Sequence, residues 1–190
     1  MPIRKVFPAF DEALGLLNKY NLTPSRIKHS IGVAKTARAL ARRVIRRNPQ
    51  VSISPERVEI AALLHDIGRG IKGDHEANSM KILKKEGYPQ LVPLVRHGTH
   101  YEARKIRGID DPSTLPCGLE NKIVAYADTR YRLAPVTLQQ RLEEIRRRRG
   151  GDGEKMQALQ MAMPRILALE KEVLDLAGLS ETDEIGVDGR

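Results

Sequence analysis

The sequence predicts an all-α protein, and three observations predict it. Apolar residues recur at three- and four-residue spacing along most of the chain. Two of these segments open on a capping residue followed by proline, Thr23-Pro24 and Ser54-Pro55. No stretch alternates in the strand manner over a useful length. With 190 residues, the chain can build one domain with a substantial core, or one domain plus a small appendage. Hydrophobic residues make up 41% and aromatics only 4%, with no Trp, so leucine, isoleucine, valine and alanine must fill that core.

The elements follow in order. A first helix is expected over 10–20. The second starts at Pro24, with Thr23 as its cap, carries the apolar stripe Val33, Ala37, Leu40, Ala41 and Val44, and stops at Asn48-Pro49. His29 lies one turn before Val33 on that stripe. Ser54-Pro55-Glu56 starts the third helix, which runs to His65-Asp66 and ends before Gly68 and Gly70. Asp74 can cap a helix over 75–86, with His75 and Ser79 on one face. A short helix is expected over 90–97. The stretch 99–118 reads as the longest irregular segment and a candidate lid. Helices over 119–132 and 136–149 follow, the first with Ile123, Val124, Ala127 and Asp128 inward. Gly150-Gly151-Asp152-Gly153 reads as a flexible joint. The last helix, over 154–177, contains Pro164, which should kink or split it. A frayed tail over 180–190 completes the chain.

Composition narrows the class. The longest apolar run falls short of the ~20 residues a membrane helix needs, and the opening MPIRKVFPAFDEAL lacks the uninterrupted apolar core of a secretory signal. Cys117, the single cysteine, can form no internal disulfide. A cytoplasmic protein without a membrane partner is expected. The net charge of +9 is concentrated in Arg42, Arg43, Arg46, Arg47 and the run from Arg146 to Arg149. Such charge suits a phosphorylated small molecule or, less favoured here, nucleic acid, since no aromatic residues interleave for base stacking.

The chemistry is concentrated in His29, His65-Asp66, His75, His97, His100 and Asp128. Histidine and aspartate supply the nitrogen and oxygen ligands that first-row divalent ions prefer. An aspartate on an apolar helix face needs a partner, because an unpaired buried charge is costly. These residues lie on different helices, so a metal bound among them would tie together elements distant in sequence.

The ordered set His29, then His65-Asp66-Ile67-Gly68, then Ala127-Asp128 resembles the HD superfamily of metal-dependent phosphohydrolases, over about residues 26–132. The resemblance implies an HD-domain helical bundle over 1–135, with C-terminal helices over 136–190 packed on the same domain. It implies that His29, His65, Asp66 and Asp128 bind one metal. His75, in Asp-His-Glu-Ala-Asn-Ser, and His97, in His-Gly-Thr-His, are similar to further ligands of a dinuclear branch that includes the symmetrical diadenosine tetraphosphate hydrolases. In that branch Asp66 would bridge to a second ion. The expected cofactor is one or two divalent ions: Mn, Fe, Co, Ni or Mg.

The expected activity is hydrolysis of a phosphoester or phosphoanhydride of a small nucleotide-like substrate by an activated water. Asp66, Arg69 and His100 are the candidate catalytic residues. Arg69, Lys72, His100 and Arg130 are the candidate substrate contacts. The alternatives are a symmetrical dinucleoside tetraphosphate hydrolase and a non-catalytic nucleotide- or RNA-binding sensor. The last amphipathic helix is a candidate surface for a second copy of the chain.

Overall fold

The fold is built around two helices whose sequences demand burial. The computed structural model describes residues 7–185; the opening residues and the last five of the expected frayed tail lie outside them. Helix α2, Pro24–Arg47, buries Val33, Ala37, Leu40, Ala41 and Val44, the stripe expected of it. Helix α3, Pro55–Leu64, is apolar all round from Ile60 onward and buries Val58, Ile60, Ala61, Ala62, Leu63 and Leu64. A helical segment without a polar face belongs inside a bundle, and α3 packs against α2 and α6, Leu119–Arg130. Helix α1, Phe10–Lys19, packs on α3, and helix α4, His75–Lys85, closes over the turn that follows α3. Among the described residues there is no strand.

Local signals account for most of the boundaries. Ser54 accepts a hydrogen bond from the backbone N–H of Arg57, and Asp74 accepts from those of Glu76 and Ala77. Each satisfies a donor that a helix start leaves unpaired. Thr23 precedes α2 as expected, but its hydroxyl contacts Ser25 rather than capping the helix.

Three local expectations change. Residues Pro89–Val95 form a 3₁₀ helix rather than an α-helix; Pro93, inside it, lacks the N–H that α-helical pairing needs. The stretch 99–118 is not a loose lid. It contains helix α5, Tyr101–Ile106, and a 3₁₀ turn, Pro112–Thr114. Arg165 clasps Glu102 through two hydrogen bonds, and Arg104 reaches Asp74, so α5 is anchored to both sides. Helix α8, Gly153–Ala177, continues unbroken through Pro164, and Asp152 of the expected joint caps it.

Helix α7, Leu138–Arg149, starts with a capping box between Thr137 and Gln140 and leads into α8. Helix α8 then packs on α2, α5 and α6. The described part of the tail is held: Ile185 is buried, and the carbonyl of Asp183 accepts from Arg130. Helices α2 and α8 are long, yet no described helix is long and apolar enough to cross a membrane.

Candidate metal centre

His65, Asp66, His75, His97 and Asp128 reach the centre from or near helix ends, and His29 from the second turn of α2. Helix α3 stops at Leu64, and His65 and Asp66 sit on the turn between it and the 3₁₀ helix Ile67–Gly70. Gly68 is required there. A Cβ on it would lie 2.2 Å from the carbonyl oxygen of His75 and 2.5 Å from the amide of Ser79. The side chain of Ser79 stitches the junction, accepting from the Gly68 N–H and donating to the carbonyl of His65, at 2.9 Å each. His75 therefore stands beside Asp66 at the start of α4. The 3₁₀ helix after α4 brings in His97, α2 supplies His29, and α6 supplies Asp128.

Two groups of ligand atoms result, sharing Asp66. His29 Nε2 is 3.0 Å and His65 Nε2 3.5 Å from Asp128 Oδ1, and His65 Nε2 is 3.7 Å from Asp66 Oδ2. On the other side, Asp66 Oδ1 is 3.4 Å from His75 Nε2 and 4.0 Å from His97 Nε2, and those two nitrogens are 3.3 Å apart. His65 and His97 present Nε2 because the other ring nitrogen is engaged by the backbone. His65 Nδ1 lies 2.6 Å from the carbonyl of Ala62, and His97 Nδ1 lies 2.9 Å from that of Val95. His29 Nδ1 is likewise 3.0 Å from the carbonyl of Arg132. An imidazole that donates from Nδ1 carries its lone pair on Nε2, which is the arrangement a metal ligand needs.

The fit to a cation rests on two atoms. His65 Nε2 and Asp66 Oδ1 are buried and meet no hydrogen-bond partner. A buried polar atom left unpaired is costly, and these two are the atoms aimed into the two groups. The donor set of imidazole nitrogens and carboxylate oxygens suits first-row divalent ions. The residues present thus fit a divalent ion.

The electrostatics hold the two carboxylates and His75 in their metal-binding forms and favour the protonated form of His29 while no metal is bound. Burial raises the Asp128 carboxyl, but the hydrogen bond from His29 and the nearby charges of His65 and His29 outweigh it and hold the group well below its ordinary range. Burial works likewise on Asp66, and the charges of His65 and Arg69 bring it down. Burial lowers His29, whereas the hydrogen bond and charge of Asp128 more than reverse this and raise it. His75 goes the other way: burial, opposed by Asp66 and aided by His97 and Arg69, takes it from 6.5 to about 3.

This last shift sets a pH dependence. The unfolded chain takes up a proton on His75 below about 6.5, and the folded chain refuses it until about 3. Stability from this group is therefore fully present above 6.5 and is lost as pH falls through that window. Urea unfolding of the metal-free protein should show it. The His75→Gln variant is expected to lose less stability than the wild type on acidification from pH 6.5. Equal slopes for the two proteins would mean that His75 does not stay neutral in the fold.

The remaining candidates separate. Arg69 lies against Asp66 Oδ2, at the centre. His100 Nε2 is 3.2 Å from His75 Nδ1, so it orients that ring from behind, and it also borders a cavity. Lys72 is exposed and outside the lining of that cavity. Arg130 is a correction. It is 3% exposed, and its guanidinium donates to the carbonyls of Val136 and Asp183 and to the Tyr126 hydroxyl, facing Glu170. It points into the seam between α6 and α8 and is not among the residues lining the cavity.

Sequence reasoning did not single out Glu76. It is 3% exposed, and its Oε1 accepts from the backbone N–H groups of His97 and Thr99. Its Oε2 accepts from Arg104. Glu76 thus holds the His97 turn against α4 and ties it to α5. An acidic residue in a first helical turn is ordinary on dipole grounds, so no local signal marks it. Ser79 was legible, one turn after His75 on the same face.

The cavity of about 490 Å³ opens from this centre. His97, His100 and Asp128 form one end, and α5, α7 and α8 form its walls. Among known proteins, the chain is 33% identical over 128 residues to an uncharacterised protein of Methanocaldococcus jannaschii, covering 63% of this chain and 73% of that protein. No solved structure matches it significantly. The HD domain family matches residues 26–133, more than half of the chain and the whole span from α2 to the end of α6 that carries the ligand atoms. The chain belongs to the HD domain family.

Proposed function

We propose that the protein is a divalent-metal-dependent phosphohydrolase that cleaves a phosphoester or phosphoanhydride of a small phosphorylated molecule. Membership of the HD domain family supports the class of reaction. The observation that carries the reading is the pair of unpartnered buried atoms, His65 Nε2 and Asp66 Oδ1, at the meeting point of two His/Asp groups. We assign one ion to His29, His65, Asp66 and Asp128, and a second to Asp66, His75 and His97. The candidates are Mn, Fe, Co, Ni and Mg.

A bound divalent ion lowers the pKa of a coordinated water and offsets charge on phosphoryl oxygens. The chain does the rest. The water oxygen attacks phosphorus and gives up a proton to solvent, the bond to the leaving oxygen breaks, and that oxygen takes up a proton from solvent. Arg69, 30% exposed at the rim of the centre, is placed to contact a phosphoryl oxygen. His100 Nε2 accepts a hydrogen bond from the Nδ1–H of His75, leaving the Nε2 lone pair of His75 toward the centre. Burial lowers His100 overall, which suits this acceptor role better than the general-acid role expected of it. The anchored α5 wall keeps the His97 turn in place during turnover.

Elemental analysis of untagged protein, reconstituted with each candidate ion in turn, tests the reading together with phosphate release from p-nitrophenyl phosphate. The expected result is about two ions per chain and turnover that chelation removes and metal restores. One ion would confine the site to the first group. No bound ion, or no phosphate release from this ester or a wider panel of phosphoesters and anhydrides, would overturn the reading. A nucleotide-like body for the substrate stays a proposal, and the next experiment weighs it against another.

A further inference from the structure

The cavity beside the metal centre has two walls that carry apolar side chains, with charged residues among them. Leu138, Leu142 and Ile145 of α7 face it from one side, and Ala158, Ala162 and Ile166 of α8 from the other. Helices α7 and α8 touch each other little, so their apolar faces border the cavity rather than one another. From Leu138 to Arg149 the α7 wall extends about 16 Å, at 1.5 Å per helical residue. Most cations along the walls are already paired. Arg104 is held by Asp74 and Glu76, Arg107 by Glu154, Arg141 by Glu144 and Arg165 by Glu102.

Outside the imidazoles of His97 and His100 and the arginine planes, the lining offers little to hold a nucleobase. No Phe, Tyr or Trp lines it to stack on a ring, and no Asn, Gln or Ser lines it to pair with a base edge. The hydroxyl of Thr129 is engaged with the carbonyl of Tyr126. Meanwhile the end that holds His97, His100 and Asp128 suits a phosphoryl group in the presence of metal.

We propose that this cavity binds the aliphatic body of a phosphorylated substrate, lying between α7 and α8 with its phosphoryl group at the metal centre. The proposal rests on the phosphohydrolase reading for the orientation of the substrate. The cavity selects by apolar burial and length, so a chain of methylenes is a better occupant than a base and sugar with their many polar atoms.

Binding of n-alkylphosphonates to the manganese-loaded full chain tests this without turnover. Calorimetric Kd values for ethyl-, butyl-, hexyl- and octylphosphonate should fall by about three- to fourfold per added methylene, the fold-change expected for a buried methylene. The phosphonate analogue of adenosine monophosphate should bind more weakly than octylphosphonate. Ala158→Phe, which narrows the cavity from a half-buried position, should weaken octylphosphonate more than ethylphosphonate. A flat series, or tighter binding of the nucleotide analogue, overturns the aliphatic assignment and gives the cavity to a base. The wild-type series decides even if the variant folds poorly. The hydrolase reading fails separately: the expected series with no phosphate released from octyl phosphate or p-nitrophenyl phosphate would keep the cavity assignment and remove the reaction. A flat series with active phosphate release would do the reverse.

Discussion

Asp66→Ala should abolish metal binding and reduce phosphate release by about a hundredfold or more, while the bundle stays folded. Asp66 is the residue that both ligand groups share. Its Oδ1 faces His75 and His97, and its Oδ2 faces His65 and Arg69. Removing an outer partner of a metal ligand already costs about 10- to 100-fold in affinity or activity, so losing the shared ligand itself should cost at least the upper figure. The fold should survive because Asp66 lies beyond the end of α3 and caps nothing through its side chain. Without metal, the substitution also relieves a buried carboxylate with an unpartnered oxygen. Metal content by elemental analysis, far-ultraviolet circular dichroism and phosphate release together check this. Full turnover with bound metal in the variant would place the reaction elsewhere.

Arg130→Ala should act in the opposite way, destabilising the protein by about 3–5 kcal/mol with metal content unchanged. Arg130 and Glu170 are buried, at 3% and 4% exposed, and the Tyr126 hydroxyl lies between them, accepting from Arg130 and donating to Glu170. Breaking a buried pair leaves its other member as an uncompensated charge, which is the reason for the size of the effect. The variant also loses the bonds to Val136 and Asp183 that hold the start of α7 and the tail. For a chain of this size the loss corresponds to a fall in Tm of roughly 6–20 °C. Urea unfolding measures the stability. A phosphate-contacting arginine would instead raise KM and leave the unfolding curve near that of the wild type. That result would return Arg130 to the substrate site.

These two arginines show where sequence reasoning stops. Arg69 and Arg130 both follow a candidate metal ligand within three residues, and both were expected to meet phosphate. Arg69 lies on the turn after α3 and faces the centre, whereas Arg130 lies two positions after Asp128 on the same helix. Two residues along a helix is about 200° around its axis, so an inward Asp128 turns Arg130 to another face. That face meets α8, and which element lies there is a matter of chain topology.

Other parts divide on the same principle. The helix starts at Pro24, Pro55 and His75, and the buried stripe of α2, were legible because they depend on nearest neighbours along the chain and on the 3.6-residue period. The ordered His/Asp set was legible because few solvated faces use those residue types on apolar helix faces. The cavity and its aliphatic walls were not legible, since the apolar positions of α7 and α8 read the same whether two helices pack on each other or stand apart. Glu76 was hidden for a similar reason. Its backbone partners at His97 and Thr99 lie more than twenty residues away, across the 3₁₀ helix Pro89–Val95.

The amino-acid order by itself determined the helical class, most of the helix starts and the residue types that can hold a divalent ion. Only the tertiary structure decided that Asp66 is shared between two ligand groups, that Arg130 belongs to the seam with α8, and that an apolar cavity leads away from the centre. The reason is physical: capping and amphipathic period are local, acting over about one helical turn, whereas ligand geometry, ion pairing and cavity shape depend on which helices the whole chain brings together.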